Sequence, residues 1–478
     1  MRNIQPIDAA ILETFPKVDE EKVNKILYEE LKRLNRKIIV LDDDPTGVQT
    51  VHNISVYTDW KEQTFEKGFA EKISMFFILT NSRSFIKEQT MEVHKEIAKN
   101  IVTASKKSGK DFILISRSDS TMRGHYPTET IILKDELEAL TDKSFDGEII
   151  LPFFKEGGRF TINNIHFVKE GDKLTPAGMT EFAKDKTFGY RSSHLGDWCE
   201  EKTNGVYKAS DIIYISLEDL RALNFHIIEN QILSAKNFNK IIVNAVDYID
   251  VKAFAISFIR ALSKGKNYMF RSAAAITKIL GGVPDKPLLT KKELVSADNQ
   301  NGGVIIVGSH VNKTTMQLEE LKNCRFPIEF IEFNQHLVLK KDGLKGEVAR
   351  VVSLVENNIK KGHTVAVYTR RERLDLDTDD KDKQLMISVE ISNAVTSIIS
   401  KLTVRPNFII AKGGITSSDI GTKALCVQRA TVMGQIKPGI PVWMTDSESK
   451  FPNMPYIIFP GNVGEISTLR EAVEVLMS

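Results

Sequence analysis

Cysteine is scarce: Cys199, Cys324 and Cys426 lie far apart and are odd in number, which excludes a disulfide framework or a cysteine-based metal site and fits a reducing compartment. Long hydrophobic runs are missing, since none approaches the roughly 20 residues that span a bilayer. The start, Met1-Arg2-Asn3, leads into acidic residues instead of the unbroken apolar core of a signal peptide, so a cytoplasmic protein without a membrane partner is expected. A surplus of one charge is also lacking: 65 Lys and Arg face 63 Asp and Glu. The net charge of +2 gives no general attraction to nucleic acid, so any anion must be held locally. Neither a Gly-x-x-x-x-Gly-Lys-Ser/Thr loop nor a Gly-x-Gly-x-x-Gly fingerprint occurs, and no two histidines have metal-ligand spacing. Internal repeats and low-complexity tracts are absent.

What is present is an α/β rhythm. At 478 residues the chain is long enough for two domains, and 42% hydrophobic with 27% charged residues is ordinary for a globular protein. Val23, Ile26, Leu27, Leu31 and Leu34 recur at helical spacing within Asp19–Leu34, predicting an amphipathic helix that covers a sheet edge or a neighbouring copy. A homo-oligomer is therefore left open. Short apolar runs then alternate with helical stretches at Lys37–Leu41, Met75–Thr80, Phe112–Ser116, Glu148–Leu151, Ile212–Ser216 and Ile241–Asn244. A second series comprises Val304–Val307, Phe330–Phe333, Val365–Tyr368, Phe408–Ala411, Val442–Met444 and Tyr456–Phe459, with a helix predicted over Leu385–Leu402. Such runs indicate buried, largely parallel strands. The expectation is two three-layer-like α/β domains with an interdomain cleft: a helical extension at 1–35, one domain at 36–285, a linker at 286–302 suggested by the Gly/Pro run at 281–287 and the polar stretch ending at Gly303, and a second domain at 303–478. Pro152–Asp197 breaks the rhythm and is too long for a passive connection, suggesting a substrate-covering insertion.

Chemistry-bearing residues gather just after the strands, where open α/β sheets bind ligands. Asp42-Asp43-Asp44-Pro45-Thr46-Gly47 concentrates carboxylates that repel one another unless a cation or a hydrogen-bonding ligand uses them, although a solvated turn would look the same. Ser116-Arg117-Ser118-Asp119-Ser120-Thr121-Met122-Arg123-Gly124-His125 and Asn81-Ser82-Arg83-Ser84 add guanidinium groups able to grip a carboxylate, with helix caps at Ser118, Asp119 or Ser120 as the plainer reading. Lys155-Glu156-Gly157-Gly158-Arg159-Phe160-Thr161 with His166 adds polar groups beside glycines, but His125, His166 and His194 each read more simply as structural histidines. Toward the C-terminus, Gly308-Ser309-His310, Lys412-Gly413-Gly414-Ile415-Thr416-Ser417 and Gly461-Asn462-Val463-Gly464 offer backbone amides for phosphate, with Thr416 or Ser417 expected to cap the following helix. The residues by themselves imply a two-domain enzyme that handles phosphate.

Taken together, in order, these motifs resemble the four-carbon acid sugar kinase family, from about Arg36 to the C-terminus. The resemblance implies an ATP-dependent kinase that phosphorylates the terminal hydroxyl of erythronate, threonate or 3-oxo-tetronate, with ATP and Mg2+ as cofactors and no metal ligands assigned. It implies that Asp43 and Asp44 contact the reacting hydroxyl, that Arg83, Asp119, Ser120, Arg123 and Arg159 form the acid pocket, and that Ser309, Gly413, Gly414, Ile415, Thr416, Gly461 and Asn462 line the nucleotide site. Where the family usually has a small residue this chain has Asp42, able to add a magnesium contact or to raise the pKa of its neighbours. Pro45, Ser116 and His125 are further departures, bearing on the substrate more than the reaction. Two other readings remain: Asp42-x-Asp44-x-Thr46 matches the first motif of haloacid-dehalogenase-like phosphatases, with Asp42 as nucleophile, and a catalytically silent sugar-acid sensor would use the same pocket.

Overall fold

The computed structural model describes residues 4–372, 374, 381–461 and 463–478, with backbone alone for 381–385. The acidic stretch 375–380 and Asn462 lie outside the described residues. The chain forms two compact units, Met1–Val51 with Asp59–Asp285 and His52–Thr58 with Lys286–Ser478.

In the first unit the strands run all parallel in the order Ile213–Ile215, Asn239–Val243, Gly147–Leu151, Tyr268–Ser272, Phe112–Arg117, Lys37–Asp42 and Met75–Leu79. Residues of Lys37–Asp42 are buried throughout, which is why its apolar run is continuous instead of alternating. The chain leaves Lys37–Asp42 toward Met75–Leu79 on one side and leaves Phe112–Arg117 toward Gly147–Leu151 on the other. Connections depart in opposite directions from these two neighbours, so a crevice opens outside their carboxyl ends.

Tyr268–Ser272 was not expected from the sequence, yet it lies in the middle of this sheet. Arg271 and Ser272 interrupt its apolar run, and the alanines that follow read as helix. The N-terminal helix spans Glu20–Arg33, capped by the Asp19 carboxylate, which accepts from the Lys22 N–H at 3.0 Å. It packs on a helix of its own unit and not on a sheet edge. Its buried Glu30 accepts from Arg260 at 2.8 Å, on the helix Tyr248–Leu262 of the same unit. The insertion is an antiparallel meander of Arg159–Ile162, Ile165–Glu170 and Lys173–Pro176, with Ile7–Asp8 pairing along its outer edge. Its first turn is Asn163-Asn164, both at positive φ, the geometry that suits a two-residue hairpin.

The second unit orders its strands Ile54–Tyr57, Arg429–Lys437, Ile440–Thr445, Pro455–Phe459, Ile409–Lys412, Val304–Val307, Thr364–Thr369 and Ile328–Phe333. The first three pairings are antiparallel and the rest parallel. Here too connections diverge, since the chain leaves Val304–Val307 toward Ile328–Phe333 and leaves Ile409–Lys412 in the opposite direction. Leu289 and Leu294, from the stretch between the two series of strands, are buried in this unit's core with Ile305, Ile410 and Phe459. Among the described residues no helix is long and apolar enough to cross a membrane.

Candidate functional site

In the first unit three strand ends converge on the crevice. The Asp42 carbonyl accepts from the Thr80 N–H at 2.8 Å, and the Asp43 N–H donates to the Arg117 carbonyl at 3.3 Å, so the three loops are stitched through backbone. Asp42 and Asp43 are 1% and 2% exposed. Arg117 donates to Asp42 at 3.1 Å, while Arg83 grips Asp43 through Nη2 at 2.5 Å and Nε at 3.2 Å. The Ser118 hydroxyl also donates to Asp43. Asp44 sits 3.4 Å from Arg83 Nη1, and its other oxygen accepts from the Thr46 N–H at 2.8 Å in a tight turn. Gly47 is required by close approach, because a Cβ there would fall 1.9 Å from an Asp42 oxygen.

These environments separate the carboxylates. Burial pushes Asp42 up to about 8 against the pull of Arg117, with Asp43 and Asp44 adding repulsion. Burial also opposes the charge on Asp43, but Arg83, Arg117 and the Ser118 hydroxyl outweigh it and hold Asp43 below the usual carboxylate range. Asp43 is thus shifted down and Asp42 up, so a raised neighbour beside Asp42 is not what Asp43 shows.

Next along the crevice, Arg123 Nε donates to Asp119 at 2.7 Å, and the Thr121 hydroxyl donates to the same carboxylate. Burial opposes ionisation of Asp119 as well, but Arg123 and Arg83 hold it far below its ordinary value. No helix starts at Ser118, Asp119 or Ser120; the next begins at Thr128, so the expected caps are replaced by a loop around Asp43 and Asp119. Arg271, on the unexpected strand, is buried and donates through Nη2 to the Arg123 carbonyl at 2.9 Å. The meander reaches in through His166, 0% exposed, whose Nε2 donates to the Ser120 carbonyl at 2.7 Å and whose Nδ1 lies 3.0 Å from the Thr161 hydroxyl. A carbonyl can only accept, which fixes the proton on Nε2, and burial lowers the ring to about 4, so His166 is a neutral structural strut. Arg123 and Arg159 both stack over Phe182, at 5.1 and 5.5 Å from its ring centre. Arg159 differs from its neighbours: among the described residues its guanidinium has no hydrogen-bond or ion-pair partner, and its Nε is buried. Burial lowers its pKa from the ordinary arginine value. The pocket residues expected from sequence therefore come together, while Arg117, Ser118, Arg271 and Phe182 were missed as members. Arg117 and Ser118 stood within a quoted motif; Phe182 carried no local signal.

In the second unit Ser309, Gly413, Gly414, Thr416 and Gly461 converge on the other crevice. A Cβ on Gly308 would lie 2.6 Å from the Thr416 hydroxyl, and one on Gly413, at φ +120°, would lie 3.4 Å from Ser309 Cβ. Ile415 is 66% exposed. The helix Gly414–Asp419 is capped by Gly413 with no side-chain bond, so neither Thr416 nor Ser417 caps it. The Ser417 hydroxyl instead donates to the Ala411 carbonyl at 3.0 Å and to the Gly413 carbonyl at 2.5 Å, fastening the turn. Lys412, overlooked as a participant, donates to the carbonyls of Pro460 and Gly461 at 2.6 and 3.1 Å, which holds the two glycine loops together. Among the described residues no three His, Cys, Asp or Glu side chains are grouped as a metal site.

A sheet bearing a charged crevice, followed by a second sheet bearing a glycine-lined one, defines a two-domain ligand-handling protein, and comparison assigns each half. Residues 38–280 match the sugar-binding N-terminal domain and 304–469 the nucleotide-binding C-terminal domain. The chain belongs to the four-carbon acid sugar kinase family. Among solved structures it is similar to Haemophilus influenzae protein HI1011, 17% identical, covering 92% of this chain and 100% of that one at a TM-score of 0.59. It is also similar to a provisionally described tRNA synthase from Salmonella typhimurium LT2, 16% identical, covering 91% and 98% at a TM-score of 0.63. At these identities the likeness is one of fold. No curated protein matches the chain.

Proposed function

We propose that the protein is an ATP-dependent kinase acting on the terminal hydroxyl of a four-carbon sugar acid, erythronate, threonate or 3-oxo-tetronate, with 36–285 as the acid-binding domain, 286–302 as linker and 303–478 as the nucleotide-binding domain. The observation that carries this reading is the partnerless guanidinium of Arg159 among arginines that each have a hydrogen-bond partner. A half-buried cation without a counterion is a ready partner for an anion, and a sugar acid supplies a carboxylate. Arg123, neutralised by Asp119, and Arg83, neutralised by Asp43, shape the pocket beside it. Ser120 contributes through its backbone carbonyl, fixed by His166.

Asp43 is locked between Arg83 and Ser118 and holds its charge too firmly to be a good base. Asp44 is the more open of the two, with 15% of its side chain exposed, and is assigned as the proton acceptor. The substrate oxygen then bonds to the terminal phosphorus, the bond from that phosphorus to the bridging oxygen breaks, ADP leaves, and the hydroxyl proton goes to Asp44. Ser309, Gly413, Gly414, Ile415 and Thr416 with the Gly461 loop are assigned to the phosphates, whose oxygens suit backbone N–H groups that a glycine turn leaves uncovered. Asn462 is carried with that loop by position in sequence alone. Magnesium fits as an ion that comes with the phosphates, since the described residues offer it no cage of their own; bound there, it would neutralise phosphate charge. The phosphatase reading is disfavoured because Asp42 is buried, paired with Arg117 and packed against Gly47.

The test is incubation with Mg-ATP and D- and L-erythronate, D- and L-threonate and their 3-oxo forms, following ADP and the phosphorylated acid by mass. One strongly consumed acid with stoichiometric ADP is expected. Tight binding of an acid with no phosphoryl transfer to any would favour the sensor reading.

A further inference from the structure

Lys412 ends the strand Ile409–Lys412 and is 0% exposed, an extreme placement for a lysine. Its ammonium is bracketed by the Pro460 and Gly461 carbonyls and lies 4.3 Å from the centre of the Phe459 ring. Carbonyl dipoles and an aromatic face are partial substitutes for a counterion, and among the described residues no carboxylate pairs with it.

The flanking strand residues Val307 and Phe459 are apolar. The helix Gly414–Asp419 carries its carboxylate at Asp419, which faces Lys423 at 2.8 Å and Ser392 at 3.3 Å. His310 lies 3.1 Å from the Arg370 carbonyl. From the helix Asn312–Leu321 comes Lys313, a second positive charge, which adds to the strain on Lys412. Burial, reinforced by Lys313, lowers Lys412 to about 7.

We propose that Lys412 is a positioning residue for the nucleotide: it straps the Gly461 loop to the Gly413 turn, and its charge is completed by the phosphates bound above that turn, so that binding draws a proton onto it. This rests on assigning the nucleotide to the second unit. The balance is simple: a neutral amine on Lys412 takes one proton from solvent as the phosphate anion arrives, and the ammonium keeps its two carbonyl acceptors.

The experiment is calorimetric titration of the full-length protein with MgADP at pH 8 in buffers of different ionisation enthalpy, which gives the protons taken up per nucleotide. MgADP is used because its own phosphates are already ionised at that pH. The parent is expected to take up most of one proton at pH 8 and little at pH 6. Lys412→Met is expected to bind at least tenfold more weakly with the uptake abolished, and Lys412→Arg, permanently charged, to bind without uptake. Parent binding with no uptake at pH 8, or unchanged uptake in Lys412→Met, would overturn the inference while leaving the nucleotide assignment intact. Failure of the parent to bind MgADP would overturn the assignment and the inference with it. Because the parent measurement needs no variant, misfolding of Lys412→Met would not rescue the idea.

Discussion

The two units place different chemistry at the same topological position, outside the carboxyl ends of strands. In the first, side chains fill the crevice: carboxylates and arginines from loops after three strands hydrogen-bond to one another, and the Arg159 guanidinium has no such partner. In the second, the crevice is backbone: glycines keep Cβ atoms out of the way and the buried Lys412 ties the loops together. The difference follows from the ligands proposed. A small polyhydroxy acid must be distinguished from its stereoisomers, which needs directional side chains, whereas phosphates are common to all nucleotides and are met by N–H groups.

The largest effect should come from the reacting centre. Asp44→Asn is expected to lower kcat on the order of 100-fold or more with modest change in either KM, as measured by coupled ADP release. If Asp43→Asn proved the more damaging for kcat while Asp44→Asn was mild, the roles of the two would be exchanged. Arg159→Gln should raise KM for the acid roughly 10- to 100-fold, since hydrogen bonds to charged groups contribute about 1.5–3 kcal/mol. Gly413→Ala forces a side chain onto a φ of +120°, a strain of about 1–3 kcal/mol, and should weaken nucleotide binding about tenfold with the acid unaffected. The smallest effect is on stability. Asp42 has its folded pKa raised to about 8, so its stabilising contribution is complete below the unfolded value near 4 and is lost as pH rises through about 8. Between pH 6.5 and 8 the parent should therefore lose stability relative to Asp42→Asn, by at most about 1.4 kcal/mol per pH unit in urea unfolding. A constant difference across that range would mean that Asp42 is ionised in the folded protein.

Much of this architecture is readable in the sequence because buried parallel strands write themselves as continuous apolar runs, as Lys37–Leu41 and Val304–Val307 do. Two other strands write less clearly. Tyr268–Ser272 was hidden by Arg271, which reaches the Arg123 carbonyl, and by Ser272, and Arg429–Lys437 by an alternation of buried and partly exposed positions that breaks up its apolar content. The clustering of Asp43, Arg83, Asp119 and Arg123 followed from their shared position after strands. Phe182 could not be foreseen, because its stacking on two arginines depends on where a long insertion folds back. The same holds for Lys412, whose role comes from the carbonyls of a loop 48 residues away in sequence.

The division of labour is tested most directly by a cross of two variants against two substrates: KM for the acid and KM for Mg-ATP, each measured in Arg159→Gln and in Gly413→Ala. The account predicts a diagonal result, with Arg159→Gln raising only the acid KM and Gly413→Ala only the nucleotide KM. An Arg159→Gln protein that lost nucleotide affinity and kept its acid affinity would contradict it.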